Sequence, residues 1–220
     1  MSRTAVLLGA SGLVGSQCLE ILLEKGPYEN VHALVRKPLS RDHPRLTQHL
    51  VLFDELDKAG GVWSSDAVFC CLGTTIAKAG SQQAFRRVDH DYPVAAAKLA
   101  ASRGAGVFVL ISAVGADALS RIFYNRIKGE TERDLQSVNL TSLVILRPSL
   151  ILGERAERRA GELLAAAALK PLSRLMVGSL RRFRPIHART IARTMVKMSL
   201  QSTPGTTVLE SEQIDDLGKE

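Results

Sequence analysis

Short apolar runs alternate with longer amphipathic segments along the chain, and this pattern predicts buried strands separated by helices. The run Ala5–Leu8 contains no polar residue, which is typical of a parallel strand covered on both faces. The predicted strands are Ala5–Leu8, Val31–Val35, His49–Phe53, Ala67–Leu72, Gly106–Ile111, Ser142–Leu146 and Thr206–Leu209. The predicted helices are Ser16–Lys25, Ser81–Ser102 with a break near Tyr92 and Pro93, Ala160–Leu169 and Thr190–Leu200.

This alternation predicts the fold class: α/β, doubly wound and Rossmann-type, with a largely parallel sheet and helices on both faces. A chain of 220 residues with 45% hydrophobic content is long enough for one good core. We therefore expect a single domain over residues 1–220. The charged and Ala/Leu-rich stretch after the sixth strand predicts a small C-terminal cap over about residues 154–185, on the substrate side.

A glycine-rich turn, Gly9-Ala10-Ser11-Gly12-Leu13-Val14-Gly15, lies between the first strand and the first helix and is called the glycine loop below. Glycines allow the backbone to approach a phosphate closely, and the helix N-terminus behind them offers free N–H groups. A plain tight turn would need only one of the three glycines. The loop predicts a dinucleotide site. Its expected cofactor-binding residues are Gly9, Ser11, Gly12, Leu13, Val14 and Gly15.

Two cations, Arg36 and Lys37, follow the second predicted strand. In this fold a carboxylate at that point holds the ribose 2′-hydroxyl of NAD, whereas arginine accommodates the 2′-phosphate of NADP. No carboxylate stands there, so the pattern favours NADP(H) over NAD(H). The alternative is an ordinary strand end with solvated charges.

Two further strand ends supply candidate cofactor contacts. Asp54 follows the third predicted strand and could accept a hydrogen bond from the adenine amino group, or it could simply start the next turn. Leu72 and Gly73 end the fourth strand at the expected switch point of the sheet, where their backbone could lie against the cofactor ribose. The Thr74 hydroxyl would lie close by.

A serine, a tyrosine and a lysine form the candidate catalytic set. Ser112 follows the fifth predicted strand, Tyr124 comes twelve residues later, and Lys128 lies four beyond that. Residues four apart share one face of a helix. A phenol titrates near pH 10, so the Lys128 ammonium would stabilise its phenolate and could also hold the nicotinamide ribose. Tyr124 would pass a proton to a carbonyl oxygen that Ser112 positions.

Composition narrows the classes of partner. The net charge of +7 and pI near 9.6 suit an anionic ligand. The sequence lacks the basic stripe interleaved with aromatic residues that is typical of nucleic-acid binding. No apolar stretch is long enough to span a membrane, and the three cysteines have no metal-ligand spacing. We expect no metal, no nucleic-acid partner and, since the N-terminal apolar run is too short for a signal core, a cytosolic protein.

The glycine spacing and the Ser/Tyr/Lys set resemble the extended and atypical short-chain dehydrogenase/reductases. The segments Cys70–Thr75, Val88–Tyr92, Tyr124–Glu130, Arg147-Pro148 and Ile214–Lys219 look like the Tat-interacting-protein oxidoreductase family. This resemblance implies bound NADPH. By position it implies cofactor contacts at Arg36, Lys37, Leu72, Gly73, Tyr124, Lys128, Ile151 and Arg159.

One residue departs from the pattern of the extended enzymes. Asp89 stands where they often carry an asparagine of the catalytic hydrogen-bond network. Its charged stretch, Arg86–Asp91, is more typical of a salt-bridged helix face. The fourth member of a catalytic tetrad therefore stays open.

Three functions are compatible with these residues. The leading one is an NADPH-dependent oxidoreductase acting on a small-molecule carbonyl, or on the alcohol in reverse. A second is an NADPH-binding sensor or adaptor with a protein partner and little turnover. A third is a nucleotide-sugar epimerase or dehydratase, although such enzymes usually have a larger C-terminal domain. A homo-oligomer is compatible with each.

Overall fold

A parallel sheet of seven strands organises the computed structural model, which describes residues 2–24, 26–153, 178–201 and 203–219. Two further short strands pair in parallel beside it. In chain order the strands are β1 (Thr4–Leu8), β2 (Asn30–Val35), β3 (Leu46–Leu50), β4 (Ala67–Cys70), β5 (Val107–Ile111), β6 (Ser142–Arg147), β7 (Ile151–Leu152), β8 (Ile186–His187) and β9 (Gly205–Glu210). The order across the large sheet is β3-β2-β1-β4-β5-β6-β9.

Helices cover both faces of this sheet. In chain order the helices are α1 (Leu13–Glu24), α2 (Ile76–Ala79), α3 (Gln82–Arg86), α4 (Tyr92–Ser102), α5 (Phe123–Gln136), α6 (Ala188–Gln201) and α7 (Ser211–Gly218). Two 3₁₀ segments, Phe53–Trp63 and Gly178–Phe183, and one π-helical segment, Arg87–Asp91, complete the described part. The doubly wound Rossmann-type fold is thereby confirmed.

Alternate residues of each central strand enter opposite cores. In β1, Ala5 and Leu7 join the core under α1 and α6, whereas Val6 and Leu8 join the core under α4 and α5. Successive side chains of a strand point to opposite faces. A strand with both faces buried must therefore be apolar throughout, which explains why these strands are visible in the sequence.

The strand order reverses between β1 and β4. From β1 the chain proceeds to β2 and β3 on one side, and from β4 to β5 and β6 on the other. Ligands of open α/β sheets bind at the carboxyl ends of the strands beside such a switch point. The glycine loop after β1 and the residues after β4 both lie there.

The third strand differs from its prediction. It spans Leu46–Leu50, and the predicted His49–Phe53 overlaps it by only two residues. Its pairing with β2 ends at Leu50. The apolar residues at its end suggested a buried strand, but Leu50 at the end of β3 and Leu52 beyond it are 64% and 67% exposed. Asp54 consequently lies within the first turn of a 3₁₀ segment.

The predicted break near Pro93 is also absent, since α3, the π-helical segment and α4 follow one another directly. Pro93 has no N–H to donate to the carbonyl four residues earlier, that of Asp89. The Thr131 hydroxyl lies 2.9 Å from this carbonyl and can donate to it, although it also lies 2.8 Å from the carbonyl of Ile127. A partner from α5 thus lets the helix continue past the proline.

Candidate cofactor-binding and active site

The glycine loop is closed so tightly that no side chain fits at Gly9 and Gly15. The Gly12 N–H donates to the Gly9 carbonyl at 2.9 Å. A Cβ atom on Gly15 would lie 2.0 Å from the same oxygen, and one on Gly9 would lie 2.5 Å from the Cys71 carbonyl. Ser11 and Gly12 are exposed at the start of α1. The backbone there fits a phosphate group at a helix N-terminus.

We predict that Gly15→Ala prevents dinucleotide binding, because the new methyl group forces the loop away from Gly9. NADPH fluorescence titration measures the loss, and thermal unfolding measures the accompanying loss of stability. Gly61→Ala is the matched control, since a Cβ atom there has no atom within 4 Å. Normal NADPH affinity in Gly15→Ala would contradict the assignment of this loop.

The residues after β4 form the opposite wall of the crevice. The Thr74 N–H donates to Asp89 Oδ2 at 2.9 Å. Gly73 is exposed, and a Cβ atom on it would lie 3.6 Å from Asp89 Oδ1 and 4.0 Å from Lys128 Nζ. The backbone of Gly73 therefore borders these two charges directly, with no side chain between. A ribose lying on this glycine would be within reach of both.

Lys128 and Asp89 form a buried ion pair at the centre of the site. Lys128 Nζ lies 2.8 Å from Asp89 Oδ1, and the two residues are 6% and 2% exposed. Burial alone would lower the pKa of Lys128, but the Asp89 carboxylate and the Tyr124 phenol outweigh it, and the net pKa is raised. The ammonium thus stays charged. Asp89 is no part of an exposed salt-bridged face.

The π-helical segment brings Asp89 to this position. π-helical turns are rare and occur often at functional sites. Neighbouring contacts hold the segment against α5: Arg86 pairs with Glu130, and His90 Nε2 lies 2.9 Å from Asp134 Oδ2. The segment therefore places the Asp89 carboxylate beside Lys128 and the backbone of Gly73.

Tyr124 lies in the first turn of α5, one turn before Lys128. It is half-buried, and its ring centroid lies 5.7 Å from that of Phe85. Within the part of the chain that the structure describes, its hydroxyl has no hydrogen-bond partner. The phenol also contributes to the raised pKa of Lys128. A phenol with a free O–H beside an ammonium can act as an acid.

Ser112 has a partner that the sequence did not reveal. Its buried hydroxyl donates to Glu132, which lies one turn beyond Lys128 on α5. Arg147 also binds this carboxylate, with Nε 3.0 Å from Oε1. The i, i+4 spacing of Tyr124, Lys128 and Glu132 was a signal that could have indicated Glu132. The predicted contact of Ser112 with a substrate stays a prediction.

The exposed cations Arg36 and Lys37 directly follow β2. The Tyr92 hydroxyl donates to Asp54 Oδ1 at 3.1 Å. Burial and then Asp54 raise the pKa of Tyr92, while the positive charges of Arg87 and Arg36 oppose the rise. Asp54 thus binds Tyr92, and the pKa of Tyr92 also responds to Arg36 and Arg87. Sequence reasoning did not select Tyr92 or Arg87.

The remaining predicted contacts lie after β6. Ile151, in β7, is partly buried and packs against the core under α1. A Cβ atom on Gly153 would lie 2.7 Å from Leu13 Cδ1, so this segment passes close to the glycine loop. Arg159 and residues 154–177 of the predicted cap lie outside the described residues.

The described part of the chain lacks both a metal site and a membrane-spanning helix. No group of three or more His, Cys, Asp or Glu side chains within them could hold a metal ion. No helix among them is long and apolar enough to cross a membrane.

Comparison with known proteins identifies relatives of this chain. A family described as NAD(P)H-binding matches residues 9–177. The mitochondrial protein FMP52 of Eremothecium gossypii is 38% identical over 162 residues, which cover 71% of this chain and 70% of that protein. Protein HTATIP2 of Rattus norvegicus is 36% identical over 168 residues, covering 74% and 69%.

Solved structures share the fold at low sequence identity. WbmH of Bordetella bronchiseptica, in complex with NAD⁺, is 17% identical with a TM-score of 0.71, covering 99% of this chain and 80% of that one. The dTDP-4-dehydrorhamnose reductase of Bacillus anthracis, in complex with NADP, is 15% identical with a TM-score of 0.66, covering 96% and 75%. These similarities establish the Rossmann-type fold alone.

The predicted cytosolic location is wrong. The FMP52 relatives from Eremothecium gossypii, Kluyveromyces lactis and Candida albicans are all named mitochondrial. The prediction failed because the lack of a secretory signal core does not distinguish the cytosol from an organelle reached by another address signal.

The family predicted from sequence motifs is confirmed by these findings. The NAD(P)H-binding match spans the glycine loop and the strand ends that form the crevice. HTATIP2 and FMP52 match most of the chain. The chain therefore belongs to the NAD(P)H-binding family, within the Tat-interacting-protein group that includes HTATIP2 and FMP52.

Proposed function

We propose that this protein is an NADPH-dependent oxidoreductase of the short-chain dehydrogenase type that reduces a carbonyl group, or oxidises the alcohol in reverse. The observation that carries the proposal is the place of Tyr124. Its hydroxyl has no partner in the described part of the chain, and it lies one turn from the buried Lys128–Asp89 pair. That pair borders Gly73 at the switch point of the sheet.

The residues around the crevice fit a dinucleotide. The glycine loop would hold the pyrophosphate, since no side chain fits at Gly9 and Gly15 beside the N-terminus of α1. Arg36 and Lys37 would bind the 2′-phosphate, and Asp54 the adenine. The nicotinamide half would lie along Leu72, Gly73 and Thr74 towards Lys128. Ile151 and Arg159 complete the proposed set, the latter on a segment outside the described residues.

The chemistry follows from the states of these side chains. Bound NADPH supplies a hydride for the carbonyl carbon. Tyr124 donates its phenolic proton to the carbonyl oxygen, so that an alcohol forms and a phenolate remains. The Lys128 ammonium, kept charged by Asp89, stabilises this phenolate until it regains a proton from solvent. Ser112 keeps its predicted role as the group that positions the substrate oxygen, which is a prediction still to be tested.

Arg36→Ala is expected to weaken NADPH binding about 10- to 100-fold, because a charge-assisted hydrogen bond contributes roughly 1.5–3 kcal/mol. NADH binding should stay nearly unchanged, since NADH lacks the 2′-phosphate. Fluorescence titration with both cofactors measures the difference. Arg41→Ala is the control, because Arg41 is an exposed cation that pairs with Glu24 at 3.7 Å. Equal losses for NADPH and NADH in Arg36→Ala would refute the 2′-phosphate site.

The proposed function is tested on the purified protein in two steps. Nicotinamide fluorescence first compares NADPH with NADH. NADPH consumption is then followed with a panel of aldehydes, ketones and quinones. Selective NADPH binding with turnover of a carbonyl supports the reductase, whereas absence of NADPH binding would refute the whole assignment.

A second candidate is an NADPH-binding sensor or adaptor with little turnover. It is favoured by one observation: the Ser112 hydroxyl donates its hydrogen to Glu132 and so cannot donate it to a substrate at the same time. Selective NADPH binding without turnover of any compound in the panel would support this candidate instead.

A further inference from the structure

A chain of charged hydrogen bonds joins three strand ends to α5. Ser112, directly after β5, donates to Glu132 of α5. Arg147, the last residue of β6, binds the same carboxylate through Nε and Nη2. Arg147 Nη1 then donates to Oε1 of Glu210, the last residue of β9, at 2.9 Å. These four residues are called the strand-end network below.

The network is built to hold a fixed geometry. Glu132 is 2% exposed, and a charge so deeply buried is costly unless it is paired. The hydrogen bond with Glu132 is the largest cause of the raised pKa of Arg147, so the guanidinium stays charged. A forked guanidinium–carboxylate contact restricts angle as well as distance. Glu132 is thereby fixed relative to β6 and β9.

The helix that carries Glu132 also carries the proposed catalytic groups. Lys128 lies one turn before Glu132, and Tyr124 lies two turns before it. Because a helix is stiff over two turns, the position of Glu132 determines where Lys128 and Tyr124 lie in the crevice. Glu130 lies on a different face of the same helix and pairs with Arg86 of α3 instead.

We propose that Glu132 and Arg147 are positioning residues, which hold α5 against the strand ends so that Lys128 meets the nicotinamide-ribose half of the cofactor. The inference rests on the proposed function, because it requires NADPH to lie with its nicotinamide half against α5.

The test compares two ligands in one variant. NADPH spans the whole crevice, whereas 2′,5′-ADP lacks the nicotinamide and its ribose and reaches only the half formed by the glycine loop and Arg36. We expect Glu132→Gln to weaken NADPH about tenfold while 2′,5′-ADP binding stays unchanged. Gln136→Ala is the control on the same helix, because the Gln136 side chain is exposed, and both its affinities should stay unchanged. Arg147→Lys, which cannot form the fork, should behave like Glu132→Gln and serves if that variant does not fold.

The outcomes separate the inference from the proposed function. If a variant of the network loses affinity for NADPH and 2′,5′-ADP equally, or for neither, the network has no positioning role. That outcome overturns the inference and leaves the proposed function intact. If the unmodified protein binds NADPH no more tightly than 2′,5′-ADP, α5 does not hold the nicotinamide half. The proposed function then fails, and the inference fails with it.

Discussion

Tyr124→Phe is expected to lower kcat by roughly 10²- to 10⁴-fold, the contribution of a positioned acid or base, while NADPH affinity stays nearly unchanged. The phenylalanine ring keeps the contact with Phe85, at a centroid distance of 5.7 Å in the native protein, and loses only the proton donor. Steady-state kinetics with the best carbonyl of the panel give kcat, and fluorescence titration gives the affinity.

Tyr28→Phe provides the matched control for this substitution. Tyr28 is 1% exposed, and its hydroxyl donates to Ser199 at 2.7 Å, far from the crevice. Its loss should reduce stability by about 1 kcal/mol and leave kcat unaltered. Turnover within tenfold of the native rate in Tyr124→Phe would exclude Tyr124 as the proton donor.

Lys128→Met is expected to destabilise the fold by about 3–5 kcal/mol, because it leaves the Asp89 carboxylate buried without its cation. The two residues are 6% and 2% exposed, so water cannot replace the lost partner. The double variant Lys128→Met/Asp89→Asn removes the stranded charge and should recover much of the loss. Denaturant unfolding measures all three proteins.

The same ion pair has a predictable response to pH. The folded-state pKa of Lys128 lies above its ordinary value of about 10.4. The stabilisation is therefore complete below that pH and is lost as the pH rises through the folded-state pKa.

Lys98→Met, at an exposed position on α4, should change stability by less than about 0.5 kcal/mol. An equally small effect of Lys128→Met would contradict the buried pair.

Two features of the candidate site could be predicted from sequence because their physical requirements are local. The glycine loop passes close to neighbouring backbone, and the short distances from Gly9 and Gly15 to neighbouring carbonyls explain why glycines stand there. Tyr124 and Lys128 share a helix face through their spacing alone. Neither prediction required knowledge of a distant contact.

The strand-end network could not be predicted in this way. Arg147 lies 15 residues from Glu132 and 63 residues from Glu210 along the chain. Each of the three is an ordinary charged residue in its own segment. Only the parallel pairing of β6 with β9 places Arg147 opposite Glu210. The partner of Asp89 was hidden for the same reason, since Lys128 lies on another element.

The sequence by itself determined the doubly wound fold, the family and the place of the glycine loop, because apolar runs and glycine spacing are properties of consecutive residues. Tertiary structure alone decided which polar side chains meet. It pairs Asp89 with Lys128 and brings the hydroxyls of Ser112 and Tyr92 to the carboxylates of Glu132 and Asp54. These contacts form because the ends of parallel strands and their helices converge from distant parts of the chain.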